Sequence, residues 1–312
     1  MIITLPNTDT NAIAGALGNA RDHYSLATGR VLTLIVAAHE DRDGDGEKNI
    51  ASTLDTLRNT SAEHPARVLV LLLGDPDAET NLDAEVLVAA DAGASEMVVM
   101  RLSGELTQHL DSVVTPLLLP DTPIVTCWPA HAPERPAATQ LGTIAQRRIS
   151  NTRRGVEGPT LGQIAGGYQP GDSDLMWSRI TPWRGTVASA LDRFAGRRVE
   201  SVEVSGITGD PSVDLAAGWL ASSLGVEVTR RGHFAQDGFP IKELVMHCDG
   251  GDVEVAMQDA HTMRISVPDR ADLFMAMHER NDAECLAEEL RHLGPDSTYG
   301  RALAGMEKVK FE

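Results

Sequence analysis

The chain has 312 residues, enough for two domains, with 42% hydrophobic and 23% charged residues, the balance of a soluble globular protein. Forty-five acidic against 27 basic residues leave a net charge of −18, a field that repels phosphate backbones and anionic membranes and so argues against nucleic acid as a partner. No uninterrupted apolar run approaches the ~18 residues of a membrane span, the start carries no basic signal-peptide region, and Cys127, Cys248 and Cys285 are widely spaced, so a reduced, cytoplasmic protein is expected.

Ile13, Leu17, Ala20 and Tyr24 recur at helical spacing, and the pattern predicts a helix over Thr8 to Tyr24. Val31 to Ala37 is almost continuously apolar, the pattern of a strand covered on both faces. A helix to about Thr60 follows an acidic loop. Val68 to Leu73 reads as a second buried strand, Ala84 to Ala90 and Met97 to Leu102 as further strands, and Leu106 to Leu117 as a helix. Strands alternating with helices predict a largely parallel sheet.

Val113 to Pro129 organises this half. Pro116, Pro120 and Pro123 frame Leu117, Leu118 and Leu119; each fixes φ and lacks a donor, so the helix must end near Leu118. A turn over Pro120 to Pro123 then leads to a short strand, Ile124 to Cys127, and Trp128-Pro129 leaves the sheet at its rim. The segment reads either as a connection stiffened by proline or as a presented surface, since tryptophan is enriched at binding hot spots.

Pro129, Pro133 and Pro136 punctuate a linker-like segment from 131 to 167. It contains a basic cluster, Arg147, Arg148, Arg153 and Arg154, which reads as a solvated helix face or as a site for anions. Beyond it, Pro170-Gly171-Asp172 signals a turn and Asp172, Ser173 or Asp174 a helix cap. Trp177, Ile180, Trp183, Val187, Leu191 and Phe194 then share one helical face, which Pro182 kinks or divides. On that helix Arg184 falls beside Trp177, Arg179 points nearly the other way, and the spacing places Trp183 in the core.

A strand around Val199 to Val204 and a helix from Pro211 to Leu224, with Asp210 as cap, come next. Strands are predicted at Val226 to Thr229, Leu244 to His247, Val253 to Met257 and Met263 to Val267, the later ones antiparallel, with Gly250-Gly251 as a hairpin turn. Helices over Asp282 to Leu293 and from Thr298 close the chain. The predicted fold class is α/β with two domains: a mostly parallel α/β domain over 1–130, a connection over 131–167 and a mixed α/β (α+β) domain over 168–312.

Chemistry is sparsely signalled. Asp41-Arg42-Asp43-Gly44-Asp45-Gly46 matches the first half of a calcium loop, but Ser52 stands where a bidentate glutamate is required, so a hydrated loop is expected and no metal. His247, Cys248 and His261 lack zinc spacing, and alternation sends His247 and Cys248 to opposite faces of a strand. No P-loop, G-x-G-x-x-G or G-x-S-x-G occurs, so neither catalytic residues nor a cofactor are expected.

Arg30 to Ile35, His64-Pro65-Ala66-Arg67, Gly74-Asp75-Pro76 and the long segments Val113 to Pro129 and Tyr168 to Arg184 together resemble the OpcA family, the bacterial glucose-6-phosphate dehydrogenase assembly proteins. Cys127 and Pro182 depart from the pattern, each where an aromatic residue would precede a tryptophan. The resemblance implies a non-enzymatic partner of oligomeric glucose-6-phosphate dehydrogenase, acting in the oxidative pentose phosphate pathway by allosteric activation or assembly. On that footing Trp128, Trp177, Arg179 and Arg184 are the candidate partner-binding anchors. The competing expectation is a sugar-phosphate- or nucleotide-binding enzyme or sensor, its ligand at the carboxyl ends of the first-half strands, with Thr126, Arg147 and Arg148 as polar groups.

Overall fold

A computed structural model describes residues 2–23, 31–40, 46–88, 96–153, 155–194, 196–233 and 238–312. The candidate calcium loop at Asp41 to Asp45 lies outside them. The chain divides into two compact units, each built on one sheet: Met1–Asn151, Glu157–Ser173 and Asp282–Pro295 form the first, and Thr152–Val156, Asp174–Asn281 and Asp296–Glu312 the second.

The first unit begins with β1 (Ile2–Leu5) and α1 (Thr10–His23), then β2 (Leu32–His39), α2 (Gly46–Glu63) and β3 (Ala66–Leu73). β4 (Asn81–Leu87), β5 (Glu96–Ser103), α3 (Leu110–Val114), β6 (Ile124–Cys127), α4 (Gln140–Ile144), β7 (Arg147–Ser150), α5 (Leu161–Gly167) and β8 (Asp172–Asp174, running into the second unit) follow. The sheet order is β1-β4-β5-β3-β2-β6-β7-β8. β5, β3, β2, β6 and β7 run parallel, and β4 and β1 are antiparallel at one edge. The continuous apolar runs of β2 and β3 are explained by this placement: Leu32 to Ala37 and Ala66 to Leu72 are buried because both strands are covered on both faces. Between Leu106 and Leu117 the helix predicted as one piece is broken into a 3-10 turn, the five-residue α3 and a second 3-10 turn that contains Pro116. Proline cannot supply the N–H that a longer α-helix would need there.

The linker-like segment is structured and carries a strand of the sheet. Arg147 and Arg148 sit on β7, both buried, which corrects the expectation of a solvated helix face. Arg147 donates to the carboxylate of Glu289, to the Gly294 carbonyl (2.9 Å) and to Ser173 Oγ (3.1 Å). Arg148 donates to the carboxylate of Asp172 and to the carbonyls of Ala145 and Pro170. Charges so buried are tolerated because each donor has an acceptor.

The second unit starts with α6 (Leu175–Arg179) and α7 (Thr181–Arg193), so Pro182 opens a second helix rather than kinking one. It continues with β9 (Val199–Ile207), α8 (Pro211–Leu224), β10 (Glu227–His233) and the antiparallel run β11 (Ile241–Cys248), β12 (Gly251–Met257), β13 (Thr262–Ser266) and β14 (Leu273–Ala276). Next in the chain, α9 (Asp282–Arg291) returns to the first unit, while α10 (Ser297–Gly305) and β15 (Val309–Phe311) complete the second. Its sheet order is β14-β13-β12-β11-β9-β10-β15.

α8 follows its sequence signals closely. Asp210 accepts from Ser212 N–H at 2.9 Å, Pro211 occupies the first turn, and Gly225 ends the helix at φ 69°. Gly218 of α8 and Gly305 of α10 meet backbone to backbone: a Cβ at Gly218 would lie 2.2 Å from the Ala302 carbonyl oxygen. One face of the sheet is buried through Val202, Val204, Leu244, Met246, Val253, Val255, Met263 and Ile265, with α7 and α8 packed against the sheet. The alternate residues are half-exposed, so the other face carries no such apolar core.

Candidate partner-binding site

Asp174 starts α6 by accepting from Met176 N–H at 2.8 Å. The short helix then places Trp177 inward, 2% exposed, its ring 5.7 Å from that of Tyr299. The Trp177 indole N–H donates to Asp296 at 2.7 Å, and Arg184 stacks over the indole at 3.5 Å. The expected adjacency of Arg184 and Trp177 is therefore present as a cation–π contact. Asp296 also caps α10, accepting from Thr298 and Tyr299 N–H. Burial pushes its carboxyl upward, but the Trp177 indole, the two backbone donors and the Arg184 charge outweigh that and hold its pKa below the ordinary value.

Arg179 is 3% exposed and ion-paired with Glu279 at 2.7 Å. Trp183 is fully buried, edge-on to Trp219 at 6.1 Å, as its spacing predicted. Trp128 belongs to the core of the first unit and is 7% exposed. The structure thus brings Trp177 and Arg184 together on one cluster and places Trp128, Trp177 and Arg179 inside their units; Arg184 alone of the four is half-exposed. As projecting anchors the three buried side chains are corrected: long amphipathic side chains serve a packed interior as readily as an interface, and these have hydrogen-bonding or apolar partners within the fold.

Among the described residues, three consecutive exposed large apolar side chains lie elsewhere, on a strand that the sequence signals only weakly, while Ile2, Val31 and Phe311 are exposed singly. β14, one of the two edge strands of the second sheet, exposes Leu273, Phe274 and Met275 by 43%, 58% and 41%. Phe274 pairs with Arg264, and across the half-exposed sheet face Arg264 bridges to Glu254 (3.0 Å) and Asp272 (3.5 Å), His247 to Asp252 (3.0 Å), and Arg231 to Glu203 (2.7 Å). Four residues bounded by turns, Leu-Phe-Met-Ala, gave a weak sequence signal because nothing alternates: every residue is exposed.

Among the described residues no group of three His, Cys, Asp or Glu side chains is placed to hold a metal ion, and His247 is hydrogen-bonded to Asp252. Cys127 and Cys285 are buried; burial, with Asp252, Asp249 and Glu200 nearby, pushes the Cys248 thiol up, away from the reactive thiolate. The polar groups expected to receive a phosphate are all committed: Thr126 is fully buried and donates to the Leu141 carbonyl, and Arg147 and Arg148 hold the buried pairs described above.

Comparison with protein families gives two matches in chain order. Residues 58–164 match the glucose-6-phosphate dehydrogenase subunit N-terminal domain, and residues 170–303 match its C-terminal domain. The chain belongs to the OpcA family. The matches take in His64 to Arg67, Gly74 to Pro76, all of Val113 to Pro129, and the Tyr168 to Arg184 segment from Pro170 on. No curated protein sequence matches the chain. Among solved structures, the 3-ketoreductase KijD10 from Actinomadura kijaniata is 10% identical at a TM-score of 0.45, covering 90% of this chain and 98% of that one. The probable oxidoreductase yhhX is 10% identical at 0.47, covering 89% and 95%. At such similarity neither bears on what an OpcA-family chain does. Among the described residues no helix is long and apolar enough to cross a membrane.

Proposed function

We propose that this chain is a non-catalytic partner of oligomeric glucose-6-phosphate dehydrogenase that favours the active assembly by binding it more tightly than the inactive one. The observation that carries this reading is the pair of family matches, both described as domains of a glucose-6-phosphate dehydrogenase subunit. A partner shifts an equilibrium only by the difference between its affinities for the two states; tenfold tighter binding of the active form supplies about 1.4 kcal/mol.

The contact surface that suits such a partner is β14 with the adjoining sheet face. An edge strand offers unpaired backbone groups for β-pairing, and Phe274, on the open face, together with Leu273 and Met275 supplies apolar anchors. Four residues are too few alone, since a stable interface buries about 1,200–2,000 Å². The charged rows at Arg264, Glu254, Glu203 and Arg231 supply the polar surround. Of the four sequence candidates, Arg184 has surface to give to the dehydrogenase, and Trp128, Trp177 and Arg179 act by holding their units in shape.

The purified chain should co-elute with its cognate dehydrogenase and raise that enzyme's kcat or lower its KM. A mixture that separates cleanly on a sizing column, with unchanged kinetics at saturating chain, removes the proposal.

A further inference from the structure

The first sheet reverses its winding at β2: β3 lies parallel on one side and β6 parallel on the other. In open α/β sheets the loops leaving two strands at such a reversal diverge, and ligands bind in the crevice beyond the strands' carboxyl ends. A cleft of about 300 Å³ opens at that place. Ala37 and His39 reach it from the end of β2, Leu73 from the end of β3, and Trp128 from the position directly after β6. That is the lower end of the size range for small-molecule sites, room for a single ring rather than a dinucleotide.

We propose that this cleft binds a small uncharged hydroxylated ring, a monosaccharide. Its walls combine aromatic and neutral polar groups. Trp128 is among the lining residues, and the His39 and His131 rings meet edge to face at 5.4 Å. Aromatic faces of this kind pack against the C–H faces of a sugar, while amides and imidazoles exchange hydrogen bonds with its hydroxyls. Gln140 is already engaged, donating to the Gln108 carbonyl and accepting from Leu110 N–H, so the exposed Gln108 amide is the side chain left to meet a ligand.

Among the described residues no lysine, arginine or carboxylate lines the cleft. An anionic ligand would find no fixed counter-charge among the described lining residues. A second observation points to the same place. His131 holds a left-handed backbone at φ 51°, fixed by its N–H to the Glu157 carbonyl (2.6 Å) and by its ring, whose Nδ1 lies 3.7 Å from the Glu157 carboxylate. Non-glycine residues are strained in that region and collect at ligand sites.

The inference does not depend on the dehydrogenase, so its test uses the chain alone. Saturation-transfer NMR and calorimetry with D-glucose, D-ribose, D-glucose 6-phosphate and inorganic phosphate separate the ligand classes. The expected result is binding of at least one neutral sugar in the millimolar range or tighter. Gln108→Leu, at an exposed position, should weaken it about tenfold while circular dichroism and melting stay intact, and His131→Gly, which accepts the backbone, should weaken it about tenfold with circular dichroism retained. Absence of binding by both neutral sugars overturns the proposal. So does a phosphorylated sugar or phosphate that binds more tightly than any neutral sugar, or sugar binding that neither substitution changes.

Discussion

Replacing Glu289 with glutamine leaves the shape of α9 unchanged and strands one charge. Arg147 and Glu289 are each 3% exposed, and the guanidinium makes two contacts to the same carboxylate oxygen. Truncating one partner of such a pair costs about 3–5 kcal/mol, because the remaining charge stays buried without its counter-charge. The first unit has a size at which each kcal/mol moves the midpoint by about 2–4 °C, so a fall of roughly 6–20 °C is expected. The double replacement Arg147→Met with Glu289→Leu should cost less than either single change, since no charge is then buried. It still leaves the Gly294 carbonyl and Ser173 hydroxyl without their donor, a residual cost of about 1–3 kcal/mol. Urea unfolding of the wild type, Arg147→Met, Glu289→Leu and the double variant gives the cycle, and hydrogen exchange locates it. Protection should fall in β7 and α9 of the single variants and stay unchanged in β9 to β13. Single variants that lose under 1 kcal/mol, or a double variant as unstable as the two singles added together, would refute the account of residues 282–295 as part of the first unit's core.

Phe274→Asp should weaken co-elution with the dehydrogenase at least tenfold without moving the melting midpoint, since Phe274 is 58% exposed; equal binding by titration would remove β14 from the interface. Trp177→Phe keeps an aromatic ring but deletes the hydrogen bond to Asp296, a donor to a charged group worth about 1.5–3 kcal/mol, and leaves a small void in the core, so the loss measured by urea midpoint should be at least that of the hydrogen bond. Because the Asp296 pKa is depressed in the fold, its contribution is complete above the unfolded value of about 4 and fades as pH falls through the lower folded value; Asp296→Asn should flatten stability against pH in that acid window. Asp214, raised by burial against the pull of Arg230, works in the opposite sense: it favours the fold as pH falls through its raised pKa. Gly218→Val should unfold the second unit or separate α10 from α8, seen as lost exchange protection in α10, since even a Cβ would meet the Ala302 carbonyl at 2.2 Å.

Elements with strong local punctuation were legible in the sequence. Ile124 to Cys127 and Pro211 to Leu224 came out with the observed bounds, because Pro123 and Trp128-Pro129 bracket the first and Asp210-Pro211 and Gly225 the second. β7 was missed for a physical reason: Arg-Arg-Ile-Ser has no apolar alternation, and its burial depends on Glu289, 142 residues away. No window of sequence contains that partner. β14 was missed because it has no buried face to imprint a period of two. At the candidate site, the Trp177–Arg184 neighbourhood was readable from helical spacing. The inward direction of Trp177 and Arg179 was not, because that is decided by Asp296 and Glu279, supplied from chain 119 and 100 residues further on.

Those distant pairings belong to a wider pattern. Arg67, Arg147, Arg148, Arg179 and Arg230 are all buried, and each holds a carboxylate: Glu96, Glu289, Asp172, Glu279 and Asp214 respectively. In a chain with few aromatic residues such pairs add little net stability, but each admits one arrangement of its segments and penalises the rest. Each pair is neutral as a unit, so the net charge of −18 and its field are carried by the rest of the chain. Like charge then opposes pairing of β14 with β14 of a second copy, which an exposed apolar edge would otherwise invite. A partner that covers the strand must answer that field, so its matching patch should be basic and the association should weaken as salt is raised.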